Sequence, residues 1–352
     1  MTGLAWLAGT RDLRWRWRRF LIALGGTALT LAVTLLLSGF RAGFDLEAGT
    51  SVRTMGADGF VVQAAQTGPF TTIGVLDETL ADRVARLPGV TGAAPVVTAR
   101  HAIDTRPALD VYLVGARPGG LGAPAVSEGR AAERPGEAVV DARARRKVGD
   151  RFTLAGRTFT VVGKVRGASV WGGVPTVYVT LEDAQAVVFG GRPAATAILT
   201  KGRPTGDLPG TKTLTARQAR ADFIRPLKNA VASIGLLQVM LWVVAAAIIG
   251  SVLYISAIER SREFAVCKAF GTSSADLVAA LALQALLLTT VAALAAVALA
   301  RPLAGLFPAV VSLTAGTAVL LFAVAAVMGL AGSLAGIRRA LVVDPATAFA
   351  GP

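Results

Sequence analysis

Four stretches of this sequence contain no Asp, Glu, Lys, Arg or His: residues 20–40, 229–258, 277–300 and 302–337, which are 21, 30, 24 and 36 residues long. A helix needs about 20 apolar residues to cross the hydrocarbon core of a bilayer, so each stretch is long enough to do so. Pro302 and Pro308 interrupt the start of the last one, which puts a short outer turn at 301–312 and the fourth span at 313–337. With 53% hydrophobic and 16% charged residues over 352 positions, and the apolar residues clumped in this way, the chain is no ordinary soluble protein.

The Arg-rich leader ahead of the first span has the look of a secretory signal. Its apolar run is roughly twice the usual 7 to 15 residues, however, and no small-x-small cleavage pattern follows, so it reads as a retained anchor. Basic residues in short flanks set orientation. Residues 1–19, an amphipathic segment, carry Arg11, Arg14, Arg16, Arg18 and Arg19 against Asp12; residues 259–276 carry Arg260, Arg262 and Lys268; Arg338 and Arg339 follow the fourth span. These flanks and the 338–352 tail are expected in the cytosol, with both termini inside the plasma membrane and residues 41–228 outside it.

That outer segment holds 25 of the 36 basic and 17 of the 22 acidic residues, hence +8 of the net +14. Its basic residues are scattered, without an aromatic-interleaved patch or a nucleic-acid-binding module, so membrane lipid and not nucleic acid is the expected partner. The chain has one cysteine, Cys267, and the outer domain must hold together without an internal disulfide.

The outer segment alternates strand and helix signals. "GFVVQA" at 59–64, residues 90–97, "VYLVGA" at 111–116, "EAVVD" at 137–141, "TVYVT" at 176–180 and "TAILT" at 196–200 read as strands, and 151–167 as a hairpin turning at Ala155-Gly156. Residues 76–87 and a stretch from Leu181 read as helices, and from Thr213 the pattern turns helical and runs through Pro226 into the second span. The expected fold is an α-helical membrane protein with four transmembrane helices and an α+β extracytoplasmic domain inserted between helices 1 and 2.

Several features resemble chemistry without supporting it. "GDLPGTKT" at 206–213 approaches a phosphate-binding loop, but Thr211 stands where the second glycine belongs. The lone His101 is expected in a polar loop, with no cysteine partner for a metal outside the membrane. Asp77, Glu78 and Asp82 fit a solvated helix face. No catalytic, cofactor-binding or metal-binding residue is expected. Because the spans lack ionisable groups, an ion-driven transporter is disfavoured. What they do contain is small residues at four-residue spacing, suited to close helix packing: Ala246 with Gly250, Ala325 with Gly329 and Ser333, and Gly332 with Gly336.

The densest charge in the membrane half lies in "AIERSREFAVCKAFGTSSADL", residues 257–277. On a helix Glu259 faces Arg262 and Arg260 faces Glu263, while Phe264, Cys267 and Phe270 share another face. Gly271 suits the helix end, and Ser273 with Asp276 the start of the next. The charges alone would suit a simple topology signal; the apolar aromatic face goes beyond that need.

These residues resemble the signature of the MacB/FtsX-like permeases of ABC transporters, E-R-x-R-E-[IF]-x-[VL]-x-[KR]-A-[LIF]-G, at Glu259, Arg260, Arg262, Glu263, Phe264, Lys268, Ala269 and Gly271. Cys267 stands where leucine is usual. The family plan of one span, an outer domain and three spans fits the whole chain, and "RRALVVDPATAFAGP" resembles the family tail through Asp344-Pro345. Within the family the chain is similar to actinobacterial members of the DevC and HrtB type.

The resemblance implies that 259–276 is a coupling segment docking on a separate ATPase, two copies of which would serve a homodimer. ATP and magnesium would be used by that ATPase, and this chain would bind no cofactor of its own. The implied function is export by mechanotransmission. A membrane regulator that switches an outer enzyme through the same motion and a stand-alone receptor remain open beside it, and the substrate, whether haem, lipid, peptide or antibiotic, is not readable.

Overall fold

The computed structural model describes residues 17–259, 261–269, 273–306 and 311–342. They form two compact units, one containing residues 43–230 and the other the apolar helices.

The helices are α1 (Trp17–Thr54), α2 (Leu80–Ala85), α3 (Leu181–Phe189), α4 (Ala216–Ile224), α5 (Lys228–Glu259), α6 (Ser261–Ala269), α7 (Ser274–Ala304) and α8 (Ala315–Val342). Among the described residues, four stretches are long and apolar enough to cross a membrane: Leu21–Thr54, Ala216–Glu259, Ser274–Ala304 and Ala315–Leu334. The first helix does not stop at residue 40. It runs on to Thr54 because polarity changes at Arg41 while nothing in 41–54 breaks a helix. The expected outer turn at 301–312 is also shorter, since α7 continues through Pro302 to Ala304. Pro302 has no N–H to give the carbonyl four residues back and its ring crowds that carbonyl, and the helix ends two residues later.

In the helical unit α1, α7 and α8 share a seam of small and branched residues, with Ala28, Leu31, Ala32 and Leu35 against Ala292, Ala296, Ala300, Leu321 and Ala325. Hydroxyls on α1 bond back within the helix, Thr30 to the Gly26 carbonyl at 2.8 Å and Thr34 to the Thr30 carbonyl at 2.9 Å. An apolar surrounding demands that internal satisfaction.

The other unit is built on strands β1 (Gly59–Gln63), β2 (Leu76–Asp77), β3 (Val90–Ile103), β4 (Leu109–Ala116), β5 (Glu128–Gly129), β6 (Glu137–Asp141), β7 (Arg151–Leu154), β8 (Arg157–Val165), β9 (Thr176–Thr180), β10 (Ala194–Ala195), β11 (Ala197–Gly202) and β12 (Thr211–Thr215). Ten of them make one mixed sheet in the order β12-β1-β11-β3-β4-β9-β6-β8-β5, with β7 against β3 and β8; β4–β9 and β6–β8 are parallel. Successive side chains on a strand point to opposite faces. Tyr112 and Val114 accordingly enter one core with Phe60, Val62, Val139 and Tyr178, while Val111 and Leu113 enter another with Val97, Val140, Val177 and Val179. Both faces are buried, which is why these strands read as continuous apolar runs. Ala48 and Val52 of α1 with Ala219 and Phe223 of α4 cover the first face, and Leu181 and Ala184 of α3 cover the second. Burial pushes the Tyr178 phenol up to about 12.

Three local expectations change. Residues 76–87 are not one helix, because the Asp77 carboxylate accepts the Thr79 N–H at 2.8 Å in a turn that delays α2 to Leu80. His101 lies in β3 opposite Val111, half-buried, and not in a loop. Thr213 belongs to β12, paired with Val61; the helix starts at Ala216 behind a capping box of Thr215 and Gln218, and Pro226 sits in a 3-10 turn at Arg225–Leu227. The loop 206–210 leads into strand β12, the reverse of a phosphate-loop frame, which needs a helix to follow.

Candidate functional site

The segment between the second and third spans contains the nine-residue helix α6. Phe264 is 5% exposed and Ala265 is buried. The Phe264 ring sits in a cluster with Ala257 near the end of α5 and with Leu277 and Leu281 in the first turns of α7. One face of α6 is thus fixed to the feet of two spans, while Glu259 and Glu263 are exposed and Lys268 is half-buried. Helix α7 begins where the sequence suggests: the Ser273 hydroxyl accepts the Asp276 N–H at 3.2 Å and donates to its carboxylate at 2.7 Å.

Arg260, Phe270 and Gly271 lie outside the described residues, as do the side chains of Arg262, Cys267 and Ala269. Of the expected Phe264–Cys267–Phe270 face, only Phe264 can be placed.

The small residues of the spans meet in two places. At the α5–α8 crossing a Cβ on Gly332 would stand 2.7 Å from the Ala246 carbonyl oxygen and 3.1 Å from the Gly250 nitrogen, and one on Gly250 would stand 3.0 Å from the Gly332 carbonyl oxygen. Backbone lies against backbone there. Gly329 faces α7 instead, where a Cβ would meet the Thr289 methyl at 2.7 Å and the Ala285 carbonyl oxygen at 3.3 Å. Ala325 is buried in the seam with α1 and α7. Ser333 is buried with its hydroxyl donating to the Leu330 carbonyl at 2.7 Å, so its polarity is satisfied within its own helix. The side position of Gly336 lies outside the described residues.

Sequence reasoning weighed only ionisable groups in the spans and so passed over Gln238. Its buried amide donates to the Ser38 hydroxyl at 2.7 Å and to the Thr34 carbonyl at 3.3 Å, a polar tie between α1 and α5. The signal was present as Thr30, Thr34 and Ser38 at four-residue spacing, with a glutamine in the next span.

Residues 20–213 match the MacB-like periplasmic core domain and residues 235–345 the C-terminal domain of FtsX-like permeases. An uncharacterized ABC transporter permease of Mycobacterium bovis is 41% identical over 346 residues, which cover 98% of this chain and 99% of the relative. The chain belongs to the MacB/FtsX-type family of ABC transporter permeases.

A further relative of this permease, an uncharacterized ABC transporter permease of Mycobacterium tuberculosis H37Rv, is 41% identical over 350 residues, 98% of this chain and 99% of the relative. Among solved structures, the periplasmic region of MacB from Actinobacillus actinomycetemcomitans aligns at 13% identity and a TM-score of 0.36, covering 48% of this chain and 94% of that one. The extracellular domain of the noncanonic ABC-type transporter YknZ aligns at 12% identity and 0.32, covering 42% and 83%. The α+β domain of the permease, between its first and second membrane helices, is the extracytoplasmic domain of the family.

Proposed function

We propose that this permease is one half of a homodimer of eight spans, driven by two copies of a separate ATPase, and that it exports its substrate by mechanotransmission. The observation that carries the reading is the seating of α6, with Phe264 between the feet of α5 and α7 and Glu263 exposed. A helix gripped by two spans on one face and presenting charge on another converts a push at its exposed face into movement of both spans. ATP and magnesium would be held by the ATPase. Co-purification from native membranes tests the reading: the permease should bring down an ATPase whose hydrolysis it stimulates, and recovery without any nucleotide-binding partner would refute it.

Two results are expected of the 259–276 segment. Glu263→Lys should weaken ATPase docking by on the order of tenfold, which is ~1.4 kcal/mol, and the loss should shrink at high salt, because a rim charge acts through screened attraction. Titration of ATPase onto permease nanodiscs at two ionic strengths measures it; an unchanged affinity would remove Glu263 from the interface. For topology, Cys267 is the only thiol in the sequence. A membrane-impermeant maleimide should leave intact cells unlabelled, react with inside-out vesicles stripped of ATPase, and react more slowly once the ATPase is restored. Labelling in intact cells would invert the proposed orientation.

A further inference from the structure

The loop between β8 and β9 touches two helices of different origin. Glu47 of α1, 5% exposed, accepts the Ser169 hydroxyl at 2.9 Å on one carboxylate oxygen and the Gly172 N–H at 2.8 Å on the other. Between those two contacts Trp171 turns the other way. Its indole N–H donates to the Phe223 carbonyl of α4 at 2.7 Å, and its ring stacks on Phe223 with centroids 5.3 Å apart. The edge of Tyr112 at 5.0 Å and the Arg100 guanidinium at 4.1 Å close around it. A second tie joins the same helices directly, with Arg220 of α4 donating to the Asp45 carbonyl at 3.1 Å and carboxylate at 3.3 Å.

The loop reaches both helices through three successive left-handed residues, Trp171 at φ 46°, Gly172 at 85° and Gly173 at 114°. Glycine takes that conformation freely, but a tryptophan there is strained and persists only where its surroundings over-determine it. A buried carboxylate is likewise an expensive way to join two elements, since apolar packing of the same volume stabilises as well or better. What paired directional bonds add is register. Sliding α1 by one turn, about 5.4 Å, would break both Glu47 bonds at once, whereas apolar contacts would re-form.

We infer that residues 168–173 are a latch, in which Glu47 and Trp171 are positioning residues that clamp the outer end of the first-span helix to the helix leading into the second span. The clamp transmits displacement of either helix to the sheet and prevents its loss in sliding. Helix α4 is followed by the turn Arg225–Leu227 and then by α5, and α1 runs unbroken from Trp17 to Thr54, so each clamped helix leads along the chain into an apolar stretch. The inference rests on the mechanotransmission proposed above.

The test uses the full chain, labelled with fluorotryptophan and reconstituted with its unlabelled co-purifying ATPase. Fluorine NMR follows the Trp171 line, assigned by Trp171→Phe. Stimulated hydrolysis by the native chain is read first; its absence would bring down the mechanotransmission reading and the latch with it. Given stimulation, ATP with vanadate should shift the Trp171 line in the native chain and in Glu47→Gln, which keeps an acceptor for the Gly172 N–H. The shift should be lost in Glu47→Ala, with the KM for ATP and the stimulated hydrolysis retained. Ser169→Ala, which removes one bond and no charge, should show a reduced shift even if Glu47→Ala misfolds. A native line indifferent to nucleotide while hydrolysis is stimulated, or a full shift in both Glu47→Ala and Ser169→Ala, would overturn the latch. So would a full shift in Ser169→Ala with a misfolded Glu47→Ala, leaving Glu47 as a plain structural anchor.

Discussion

A chain carrying Gly332→Leu is expected to lose the α5–α8 crossing and to melt far below the native protein in detergent. The cause is the absence of room for any side chain: the Cβ alone would sit 2.7 Å from the Ala246 carbonyl oxygen, and the atoms in the way are backbone, which cannot swing aside as a flexible side chain does. The two helices must separate, which forfeits dispersion contact along the crossing as well as the fit at one point, and overpacking of this kind costs about 3 kcal/mol. Gly235→Ala is the control, because nothing lies within 4 Å of the Cβ it would add. Alanine there should leave stability unchanged or raise it by up to about 1 kcal/mol through helix propensity. Thermal unfolding of the two variants side by side measures the difference, and a Gly332→Leu protein that melts with the native one would show that the backbones do not meet.

Asp222→Ala is expected to release the 67–72 loop of the extracytoplasmic domain. Asp222 is 1% exposed and stands near the end of α4, where its carboxylate accepts the Phe70 N–H at 3.0 Å, the Thr71 N–H at 3.2 Å and the Thr67 hydroxyl at 3.3 Å, with the Thr71 hydroxyl as a fourth donor. Gly68 passes so close that a Cβ would fall 2.2 Å from the carboxyl carbon. Alanine would leave two backbone donors facing a void without an acceptor, at about 1–3 kcal/mol each, so a total near 4 kcal/mol is expected. Asp222→Asn keeps one acceptor oxygen but turns an amide against donors, and should lie between the two. Hydrogen exchange of the 67–72 amides in the full-length protein measures it; native protection in Asp222→Ala would mean that the loop is held by its own turns.

The membrane helices and the insertion between the first and second were legible because they depend on composition over about 20 residues, which a bilayer enforces position by position. Strands such as Glu137–Asp141 and Thr176–Thr180 were legible for a related reason, since both faces of the sheet are buried and the middle three residues of each run are Ala, Val or Tyr. Thr213 went astray as helix because a strand of Thr and Lys at the sheet edge carries no apolar period, and pairing with β1 decides it. In α6 an exposed Glu263 and an apolar seat for Phe264 could be read from spacing. That Phe264 is held by Ala257, Leu277 and Leu281 could not, because those partners lie on two other helices.

By itself, then, the sequence determined that the chain crosses a membrane through four apolar stretches, inserts an α+β domain after the first, and carries the permease signature at Glu259 to Gly271. These are properties of single segments, set by hydropathy and local spacing. The tertiary structure decided which small residues touch, sending Gly332 to α5 and Gly329 to α7, and which polar groups are buried together, joining Gln238 to Ser38 and Glu47 to Ser169. Ser38 and Gln238 are 200 positions apart and Glu47 and Ser169 are 122 apart, so no local pattern links them. The cost of leaving a polar group unpaired in a water-free interior selects such partners only once the fold has brought them within reach.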